Sequence, residues 1–563
     1  MNKQLIECVP NFSEGRDLSV IKEITDVIEA VDGVKLLDVD PGKATNRTVV
    51  TFVGEPEPVI KAAYLALKKA SEVIDMSKHS GEHPRMGATD VCPLIPIANI
   101  TMEEVAKYAH KLADRAGQDL EIPIYMYESA ATKPEWSNLA IIRSGEYEAL
   151  PEKLSKPEWK PDYGPSKFNA QAGATAIGAR DFLIAYNVNL NTTSVRRANS
   201  VAFDVREQGR VKRKGNPITG KVVKDKNGNP QRVSGACKAV KGIGWFIEEY
   251  GVAQISMNLT NINISPLHKV FEECCKSADK RGMRVTGSEL VGLVPLKVLL
   301  DAGRYFLKKQ NRSIGVSDEE IIKIAVKTLG LDELGEFDPQ KKVIEYQLEG
   351  KDSAPLLAMN LRSFADETAS ESMAPGGGSI SAYVAALGVS LATMVANLSS
   401  HKRGWDDRWE EFSNHAAEGQ RLKDALLKMV DEDTNSFNAI IAAFRLPKGT
   451  SSEKETRKKA IQDATRYAIE VPYKVMELSL QIFDLAMAMV KIGNPNSVTD
   501  AGVGALCARA AIHGAYMNVK INTADLEDKK FVTRVLRDGK KLVTKANKLE
   551  KEITKLVNEK IDG

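Results

Sequence analysis

K-L-L-D-V-D-P-G-K-A-T-N-R-T-V-V-T-F-V, residues 35–53, decides the fold of the first half of this chain. Two short apolar runs, Lys35–Val39 and Thr48–Val53, flank a polar segment with Pro, Gly and Asn, which predicts two strands joined by a turn. Working outward, the apolar periodicity predicts a helix and then a strand on each side of this pair. The helices are predicted over Leu18–Val31 and Pro58–Ile74, and the strands over Leu5–Val9 and Val91–Ile97. The order βαββαβ predicts a ferredoxin-like unit, which is a sheet with helices on one face.

The same order of elements recurs in the next third of the chain. Strands are predicted over Phe182–Leu190, Gly242–Glu249, Val252–Leu259 and Val285–Val294, and helices over Val195–Gln208 and Leu267–Arg281. The two sets share their element order but not their residues, and Ile122–Gly173 crosses between them. We therefore expect two tandem α/β subdomains, over residues 1–180 and 181–330.

Strand signals end at about Leu331, so residues 331–352 predict a linker and residues 353–563 an all-helical bundle domain. Helices are predicted over Leu357–Glu371, Ser379–Ser400, Trp405–Arg445, Glu453–Val490, Val498–Asn518 and Asp525–Ile561. Ile380–Leu398 is uncharged and as long as a membrane span, but its many small residues and Asn397 favour a buried central helix. The predicted fold class is multidomain α/β plus all-α, with two tandem ferredoxin-like βαββαβ units followed by a helical bundle.

The composition is typical of a soluble globular protein, with 43% hydrophobic and 27% charged residues and a net charge of +3. Six cysteines without a CxxC pair favour free thiols in a reducing compartment and predict no zinc or other metal site. The first residues lack the apolar core of a signal peptide, and aromatic and basic residues do not alternate as in single-strand binders. We expect a cytoplasmic protein that binds neither membranes nor nucleic acid.

The segment Lys78–Pro93, K-H-S-G-E-H-P-R-M-G-A-T-D-V-C-P, holds two of the seven histidines together with acids and two glycines. We call it the His loop. Imidazole titrates near neutral pH, so this segment is a candidate for proton transfer, and a solvated turn is the alternative. Asp40 and Asn11 follow two of the predicted strands, where polar side chains of a site gather, or where each simply forms an Asx turn.

Asp433 is the sharpest feature of the helical half. Residues at three- and four-residue spacing define one apolar helix face, and position 433 falls on it. They are Leu426, Val430, Phe437, Ile440, Ile441 and Phe444. A carboxyl group there either has a raised pKa suited to a general base or is a structural group satisfied by the backbone or a Lys. Asp431 and Glu432 are expected to be solvated.

Two polar loops open onto helices and are candidate ligand sites. Gly376, Gly377 and Gly378 precede the uncharged helix, and a second loop, G-N-P-N-S-V-T-D, carries Asp500, which is expected to take part in the same site. A third feature, Gly209–Lys241, has ten Lys or Arg against Asp225 alone. This basic stretch is either a solvated hairpin or a collar that attracts an acidic ligand.

Several motifs together resemble one enzyme family. They are C-V-P-N-F-S-E-G, L-L-D-V-D-P-G, T-N-R-T-V, the His loop and G-E-Y-E-A-L-P-E-K-L, with A-P-G-G-G-S and L-P-K in the helical half. The first group is similar to glutamate formimidoyltransferases and the second to formimidoyltetrahydrofolate cyclodeaminases, in the order of the bifunctional formimidoyltransferase-cyclodeaminases. Residues 1–330 would then be the transferase and residues 353–563 the cyclodeaminase.

The resemblance implies two linked reactions. A formimidoyl group moves from N-formimidoyl-L-glutamate to N5 of tetrahydrofolate, and ring closure through N10 then releases ammonia and 5,10-methenyltetrahydrofolate. It also implies a homo-oligomer, either a dimer or a ring of dimers, and the basic stretch suggests in addition that the folate is polyglutamated. By motif, the transferase histidine is His83, its supporting acid is Asp40, and the cyclodeaminase acid is Asp433. The implied folate-binding residues are Gly164, Pro165, Ser166, Lys167, Phe168, Asn169, Ala170, Gln171, Ala172 and Gly173.

Two departures and three alternatives remain open. The basic stretch is longer than in the family's animal members, and Ala170–Ala172 replaces bulkier residues. The helical domain is alternatively a methenyltetrahydrofolate cyclohydrolase, or the first half accepts formylglutamate. In the third alternative, the chain binds folate without turnover.

Overall fold

Residues 35–53 form two antiparallel strands in the computed structural model, which describes residues 4–43, 45–81, 84–215, 219–348 and 355–562. Two units are distinguished by their internal contacts. One comprises Met1–Ala302 with Val326–Leu348, and the other comprises Gly303–Ala325 with Glu349–Gly563. The first is mixed α/β, and the second contains helices alone over its described residues. The coarse α/β-then-helical prediction is therefore confirmed.

The first sheet has seven strands in the order β3-β4-(β1, β2)-β5-β7-β6. They are β1 (Leu5–Cys8), β2 (Asn11–Phe12), β3 (Val34–Gly42), β4 (Arg47–Gly54), β5 (Thr89–Ala98), β6 (Ile124–Glu128) and β7 (Thr175–Ala179). Helices α1 (Leu18–Glu29), α2 (Pro56–Val73) and α3 (Met102–Leu120) cover one face. Alternate strand residues such as Ile6, Val50 and Phe52 are fully buried under these helices. The opposite face therefore carries the polar alternates, Asp40 and Arg47 among them.

Short elements lie between β6 and β7, so the chain returns to the first sheet there and does not cross to the second, contrary to the prediction for Ile122–Gly173. They are α4 (Leu139–Ile142) and α5 (Leu150–Leu154), with one-turn 3₁₀ segments around them. The second sheet is antiparallel throughout, in the order β11-β12-β8-β13. Its strands are β8 (Ile184–Leu190), β11 (Val240–Ile247), β12 (Val252–Leu259) and β13 (Val285–Val291). Helices α6 (Val195–Val205) and α7 (Leu267–Asp279) lie on the face that buries Tyr186, Val188 and Met257.

The basic stretch Gly209–Lys241 contains a hairpin. Strands β9 (Arg210–Val211) and β10 (Arg232–Val233) pair antiparallel, and a tight turn over residues 225–229 is capped by the Asp225 carboxylate. Lys212, Lys224 and Lys226 are exposed or half-buried on it. The predicted hairpin is therefore present, with most of its cationic side chains in solvent.

Four helices connect the α/β region to the bundle. They are α8 (Leu296–Lys309), α9 (Asp318–Leu329), α10 (Pro339–Lys342) and α11 (Ile344–Leu348). The predicted linker, residues 331–352, is not an extended connector in its described part, because Val343 and Ile344 are buried and α11 is hydrogen-bonded to Val294. Residues 303–325, predicted to lie in the second α/β subdomain, group with the helical unit, where Ser313 donates to Asn397. The outer boundaries at residues 180 and 352 stay predictions.

The bundle is built from α12 (Leu361–Thr368), α13 (Gly377–Ser400), α14 (Trp409–Phe444), α15 (Ser451–Ile492), α16 (Val498–Asn522) and α17 (Lys529–Asp562). Helix α13 packs against α14 and α16 through small residues, and Gly388 meets the backbone of Gly504. Over the described residues, α13 alone has the length and apolarity of a membrane span, and 61% of its most apolar window is buried. Burial against two neighbouring helices is typical of a bundle core.

Candidate active sites

Asp40 and Asn11 lie in one row across the first sheet. Asp40 is opposite Val49 on β4, and Val49 is opposite Asn11 on β2. Residues opposite each other share a face, so both side chains lie on the face opposite α1, α2 and α3, about 10 Å apart across β4. The structure thus brings together the two strand-end residues that the sequence predicts as site residues.

A buried ion cluster supports this row, and sequence reasoning missed most of it. Asn11 donates to the Val9 carbonyl at 2.9 Å and accepts from the Arg47 guanidinium. Asp90 is fully buried, lies 3.7 Å from Arg47 and accepts from Arg143 Nε at 3.2 Å. Burial lowers the pKa of Arg47 to about 10, and the negative charge of Asp90 offsets part of that shift. Arg47 and Asp90 lie in the motifs T-N-R-T-V and D-V-C-P, and these motifs were the only indication in the sequence that the two residues belong to a site.

The His loop reaches this row, although His83 and Glu82 lie outside the described residues. On one side of that pair, a Cβ on Gly81 would overlap the Thr45 carbonyl on the β3–β4 turn. On the other side, a Cβ on Gly87 would lie 2.7 Å from the Ala172 carbonyl. The two loop glycines are therefore required by close backbone approach, to the turn that follows Asp40 and to the predicted folate-binding stretch.

The predicted folate-binding stretch, Gly164–Gly173, runs from α3 to the His loop. At one end, a Cβ on Gly164 would overlap the Ile122 carbonyl, next to Gly117 of α3. At the other end, Ala172 accepts from Ala88 N at 2.8 Å. Ser166, Lys167, Ala170 and Gln171 are exposed between these anchors, and Pro165, Phe168 and Asn169 are half-buried. Only the end that holds Ala172 and Gly173 is thus brought to the His loop.

The helix-free face of the second sheet carries a chain of buried amides. Trp245 Nε1 donates to Gln254 at 3.1 Å, Gln254 donates to Asn189 at 2.8 Å, and Asn189 donates to Glu333 at 2.5 Å. Asn189 and Gln254 are almost completely buried, so each amide is held in one orientation. The signal in the sequence was the alternation N-V-N-L at residues 187–190. It was used only to predict a strand, and neither asparagine was assigned a role.

Two titratable groups of the α/β unit, Tyr250 and Glu7, have raised pKa values. Burial raises the pKa of Tyr250, in the β11–β12 turn, and the neighbouring charges of Glu289 and Asp40 add to the shift. Burial also raises the pKa of Glu7 on β1 to about 7, with Arg180 opposing and Glu345 adding to the shift. A carboxyl group that titrates near neutrality holds or releases a proton under cellular conditions. Glu7 lies inside a predicted strand and was missed.

In the helical unit, the Asp433 carboxylate caps the start of α13. Its Oδ2 accepts from Ser379 N at 2.9 Å and lies 3.3 Å from Ser379 Oγ. Gly378 leaves room for the carboxylate, because a Cβ there would lie 2.0 Å from Oδ1. Burial raises the pKa of Asp433, and the two Ser379 hydrogen bonds oppose that shift. The two alternatives for Asp433 therefore occur together: a backbone N–H satisfies the carboxylate, and burial raises its pKa.

The other predictions around Asp433 need correction. Asp431 is buried rather than solvated, because it accepts from Leu356 N at 2.9 Å and Leu357 N at 3.2 Å. The apolar face is buried at Leu426 and Val430, but Phe437 and Phe444 are 41% and 55% exposed. Helical periodicity identifies a face, whereas burial depends on whether another element covers it.

Asp500 is not brought to Asp433 within one chain. Gly377 and Gly378 lie beside Asn518 and Asp433 respectively. Asp500 stands in the first turn of α16, eighteen residues before Asn518, which places it about 27 Å away along the helix. Gly376 has open space around its backbone. The predicted glycine loop therefore meets Asp433, and the second polar loop lies at the opposite end of α13. Over the described residues, His, Cys, Asp and Glu form no group of three or more suited to a metal ion.

Comparison with known proteins gives matches along nearly the whole chain. Residues 5–180 match the family model "Formiminotransferase domain, N-terminal subdomain", residues 185–349 "Formiminotransferase domain", and residues 360–559 "Formiminotransferase-cyclodeaminase". Formimidoyltransferase-cyclodeaminase of Mus musculus is 44% identical over 536 residues, 94% of each chain. Glutamate formimidoyltransferase of Streptococcus pyogenes serotype M1 is 41% identical over 55% of this chain and 95% of its own. Methenyltetrahydrofolate cyclohydrolase of Methylorubrum extorquens is 32% identical over 36% of this chain and 97% of its own.

Proposed function

The chain belongs to the formimidoyltransferase-cyclodeaminase family, and on that premise we propose how its residues divide the two reactions. It is a bifunctional enzyme of one-carbon metabolism. Its α/β part transfers the formimidoyl group of N-formimidoyl-L-glutamate to N5 of tetrahydrofolate. Its helical part closes 5-formimidoyltetrahydrofolate to 5,10-methenyltetrahydrofolate and releases ammonia. Tetrahydrofolate is the one-carbon acceptor of the first step, and its 5-formimidoyl derivative is the substrate of the second.

In the transfer step, His83 moves the proton. N5 must lose a proton as it attacks the amidine carbon, and the glutamate nitrogen must gain one as it leaves, so one imidazole can serve both. Asp40 stabilises the imidazolium formed in between, and the Arg47–Asp90 cluster holds the Asn11 amide in place beside it. The observation that carries this assignment is the row of Asp40 and Asn11, with the His loop anchored on the adjoining turn.

His83→Ala tests the transfer assignment. We expect formimidoyl transfer to be abolished while ring closure of supplied 5-formimidoyltetrahydrofolate continues at the wild-type rate. Asp40→Asn should lower the transfer rate in the same assay without affecting ring closure. Transfer by His83→Ala near the wild-type rate would contradict the assignment.

In the ring-closing step, Asp433 handles both protons. Its carboxylate accepts the N10 proton as N10 attacks the formimidoyl carbon, and the resulting acid protonates the amine that leaves as ammonia. The hydrogen bonds from Ser379 and the space above Gly378 hold the carboxylate beside the start of α13. Asp433→Asn should stop ammonia release and leave transfer intact. Retained ammonia release would remove Asp433 from the mechanism.

A second candidate concerns the helical half alone. The similarity to a methenyltetrahydrofolate cyclohydrolase covers that half, so hydrolysis of the methenyl product is an alternative activity there. Ammonia release from 5-formimidoyltetrahydrofolate, followed by a stable methenyl chromophore, supports the cyclodeaminase. Decay of that chromophore with added enzyme supports the cyclohydrolase. Tight folate binding without either product would identify a binding protein.

The finer fold belongs to the same proposal. We assign each sheet to a ferredoxin-like unit, the first over residues 1–180 and the second within residues 181–302. In each, the four strands of the βαββαβ order stand as second, third, first and fourth across the sheet, which supports the assignment. The parallel strands β7 and β6 extend the first sheet beyond this unit.

Assembly as a homo-oligomer in the cytoplasm completes the proposal. Helix α13 exposes Leu387, Met394 and Leu398, each between 39% and 47%, at heptad-like spacing. Helix α16, which packs beside it, also exposes apolar residues, which are Val503, Leu506, Met517 and Ile521. Two adjacent apolar stripes of this length favour burial against a second copy. Light scattering should show a dimer or larger ring, which Leu387→Glu with Leu506→Glu should dissociate; a monomeric wild type would contradict it.

The basic hairpin supports polyglutamated folate as the substrate form. Its exposed lysines attract a polyanionic tail through electrostatics, which salt weakens. Neutralising Lys212 and Lys214 should then raise the KM for long-tailed folate and leave the KM for the monoglutamate unchanged. An affinity for long-tailed folate that is insensitive to salt and to these substitutions would contradict this role.

A further inference from the structure

Arg85 is an almost buried side chain of the His loop to which the mechanism above gives no role. Its guanidinium donates to both oxygens of Glu148, at 2.7 and 2.9 Å, and to Glu146 at 2.9 Å. Its backbone carbonyl accepts from Tyr147 N at 2.9 Å. A guanidinium held by two carboxylates in a bidentate pattern has one orientation, because its donors are planar. Arg85 therefore fastens the His loop to the segment Glu146–Glu148.

His79 is the second anchor, and its hydrogen bonds identify its tautomer. Its Nε2 lies 2.9 Å from the carbonyl oxygen of Asn46, which can only accept, so Nε2 carries the proton. Its Nδ1 accepts from Arg85 Nε at 3.3 Å, as an unprotonated ring nitrogen does. His79 thus joins Asn46 to Arg85 through its two ring nitrogens.

Together these contacts hold the loop on both sides of residues 82 and 83. Before them, Asn46 Nδ2 donates to the Ser80 carbonyl at 3.0 Å. After them, Arg85 is locked, and Met86 N donates to the buried Asp90 carboxylate at 3.1 Å. Hydrogen bonding to Arg85 lowers the pKa of Glu148, which keeps the pair charged at neutral pH. Glu148 is 63% exposed, so its ion pair adds little to stability, and its effect is on geometry.

We propose that Arg85, locked by Glu148 and Glu146 and braced by His79, is a positioning residue for formimidoyl transfer. Arg85 fixes the segment on the C-terminal side of His83. The positioning role therefore rests on the proposed role of His83. Lys at position 85 retains the positive charge but cannot span two carboxylates and the imidazole at once. Proton transfer requires the catalytic imidazole to lie within hydrogen-bond reach of the substrate. A displacement of that group by about 1 Å therefore lowers turnover by roughly 100-fold, while substrate binding, which depends on other groups, is retained.

The test compares Arg85→Lys and Glu148→Gln with Arg281→Lys as a matched control. Arg281 is a half-buried arginine of the same unit, paired with Asp204 at 2.6 Å and bonded to Ser277, and it has no part in the site. The measurements are kcat and both KM values for transfer, ring closure of supplied 5-formimidoyltetrahydrofolate, and the thermal midpoint. We expect Arg85→Lys and Glu148→Gln to lower kcat for transfer about 10- to 100-fold, with KM within about threefold, and with ring closure and midpoint as in the control. The double variant Arg85→Lys/Glu148→Gln should be no slower than Arg85→Lys alone, since both substitutions disrupt the same ion pair.

Transfer by Arg85→Lys within about twofold of wild type would overturn the proposal. A kcat loss that follows the loss of folded protein would overturn it as well, because that result indicates a structural role only. His83→Ala is measured in parallel so that the two assignments fail separately. Retained transfer in His83→Ala refutes the role of His83, and retained transfer in Arg85→Lys alone refutes the positioning role.

Discussion

Gly378→Ala changes the position of the Asp433 carboxylate and little else. The new Cβ would lie 2.0, 2.4 and 2.5 Å from Oδ1, Cγ and Oδ2 of Asp433, so the carboxylate must retreat by about 1 Å or more. That movement breaks the hydrogen bond from Ser379 N, which is 2.9 Å long and contributes about 1.5–3 kcal/mol as a bond to a charged group. Gly378 is the second residue of α13, where Ala restores about 0.5–1 kcal/mol of helix propensity. The net loss of stability is about 1–2 kcal/mol.

The effect on ring closure should be far larger than the effect on stability. We expect kcat for ammonia release to fall about 100-fold, since the proton-handling group is displaced by about 1 Å. The Ser379 bonds oppose the burial that raises the pKa of Asp433, so their loss raises that pKa further. The carboxylate form is then lost at a higher pH, and the acid limb of the ring-closure profile moves upward. Formimidoyl transfer should be unchanged.

Gly388→Ala is the matched control in the same helix. Its Cβ would lie 2.8 Å from Cys507 Cβ and 2.9 Å from the Gly504 carbonyl, ten residues and about 15 Å from Gly378. It should cost about 1–3 kcal/mol of bundle stability by overpacking and leave ring closure per folded molecule unchanged. Equal loss of ring closure in both variants, or wild-type ring closure in Gly378→Ala, would refute the reasoning.

Three further predictions concern stability and are measured by urea unfolding. Burial raises the pKa of Glu7 to about 7, so the native state binds more protons than the unfolded one, and the free energy of unfolding should fall by about 3 kcal/mol between pH 4.5 and 8. Glu7→Gln should flatten that slope, and an unchanged slope would be inconsistent with the shift. Asp431→Ala should destabilise the bundle by about 3 kcal/mol, because the buried N–H of Leu356 and the half-buried N–H of Leu357 lose their acceptor. Ring closure per folded molecule should be retained, and a neutral effect on stability would contradict the burial of Asp431. Asn522 donates at 2.7 Å to the Ala468 carbonyl, which Pro472 leaves without a helical partner, so Asn522→Ala should cost about 1–2 kcal/mol of stability. Pro472→Ala restores the helical N–H and should make the protein insensitive to Asn522→Ala. Additive effects of the two substitutions would contradict this explanation.

Local pattern predicted the elements well, with differences at their ends. Strand β12 begins and ends where apolar alternation places it, and α1 and α14 differ from their predicted bounds by a few residues. Period and turn chemistry are properties of neighbouring residues, so a single sequence contains them. The ends of two predicted strands likewise indicate Asp40 and Asn11 as candidate site residues, but the register that places them in one row is not a local property.

Failures occur where contacts join distant parts of the chain. Asp431 and Asp433 are two residues apart, yet each carboxylate is held by a different segment, and neither segment is visible from helix periodicity. Asp500 and the Gly376–Gly378 loop are predicted to share a site because both are polar segments that open onto helices, whereas the antiparallel packing of α13 and α16 places them at opposite ends of α13.

The amino-acid sequence by itself determined the order of elements, the division into α/β and helical parts, and the motifs that identify the family. Only the tertiary structure decided that Asp40 and Asn11 share a sheet row, that Asp433 caps α13, and that Arg85 joins the His loop to Glu148. The physical reason is range. Secondary structure follows from interactions within a few residues, whereas a site depends on strand register and helix packing between residues far apart in the chain, and these form only when the cores close.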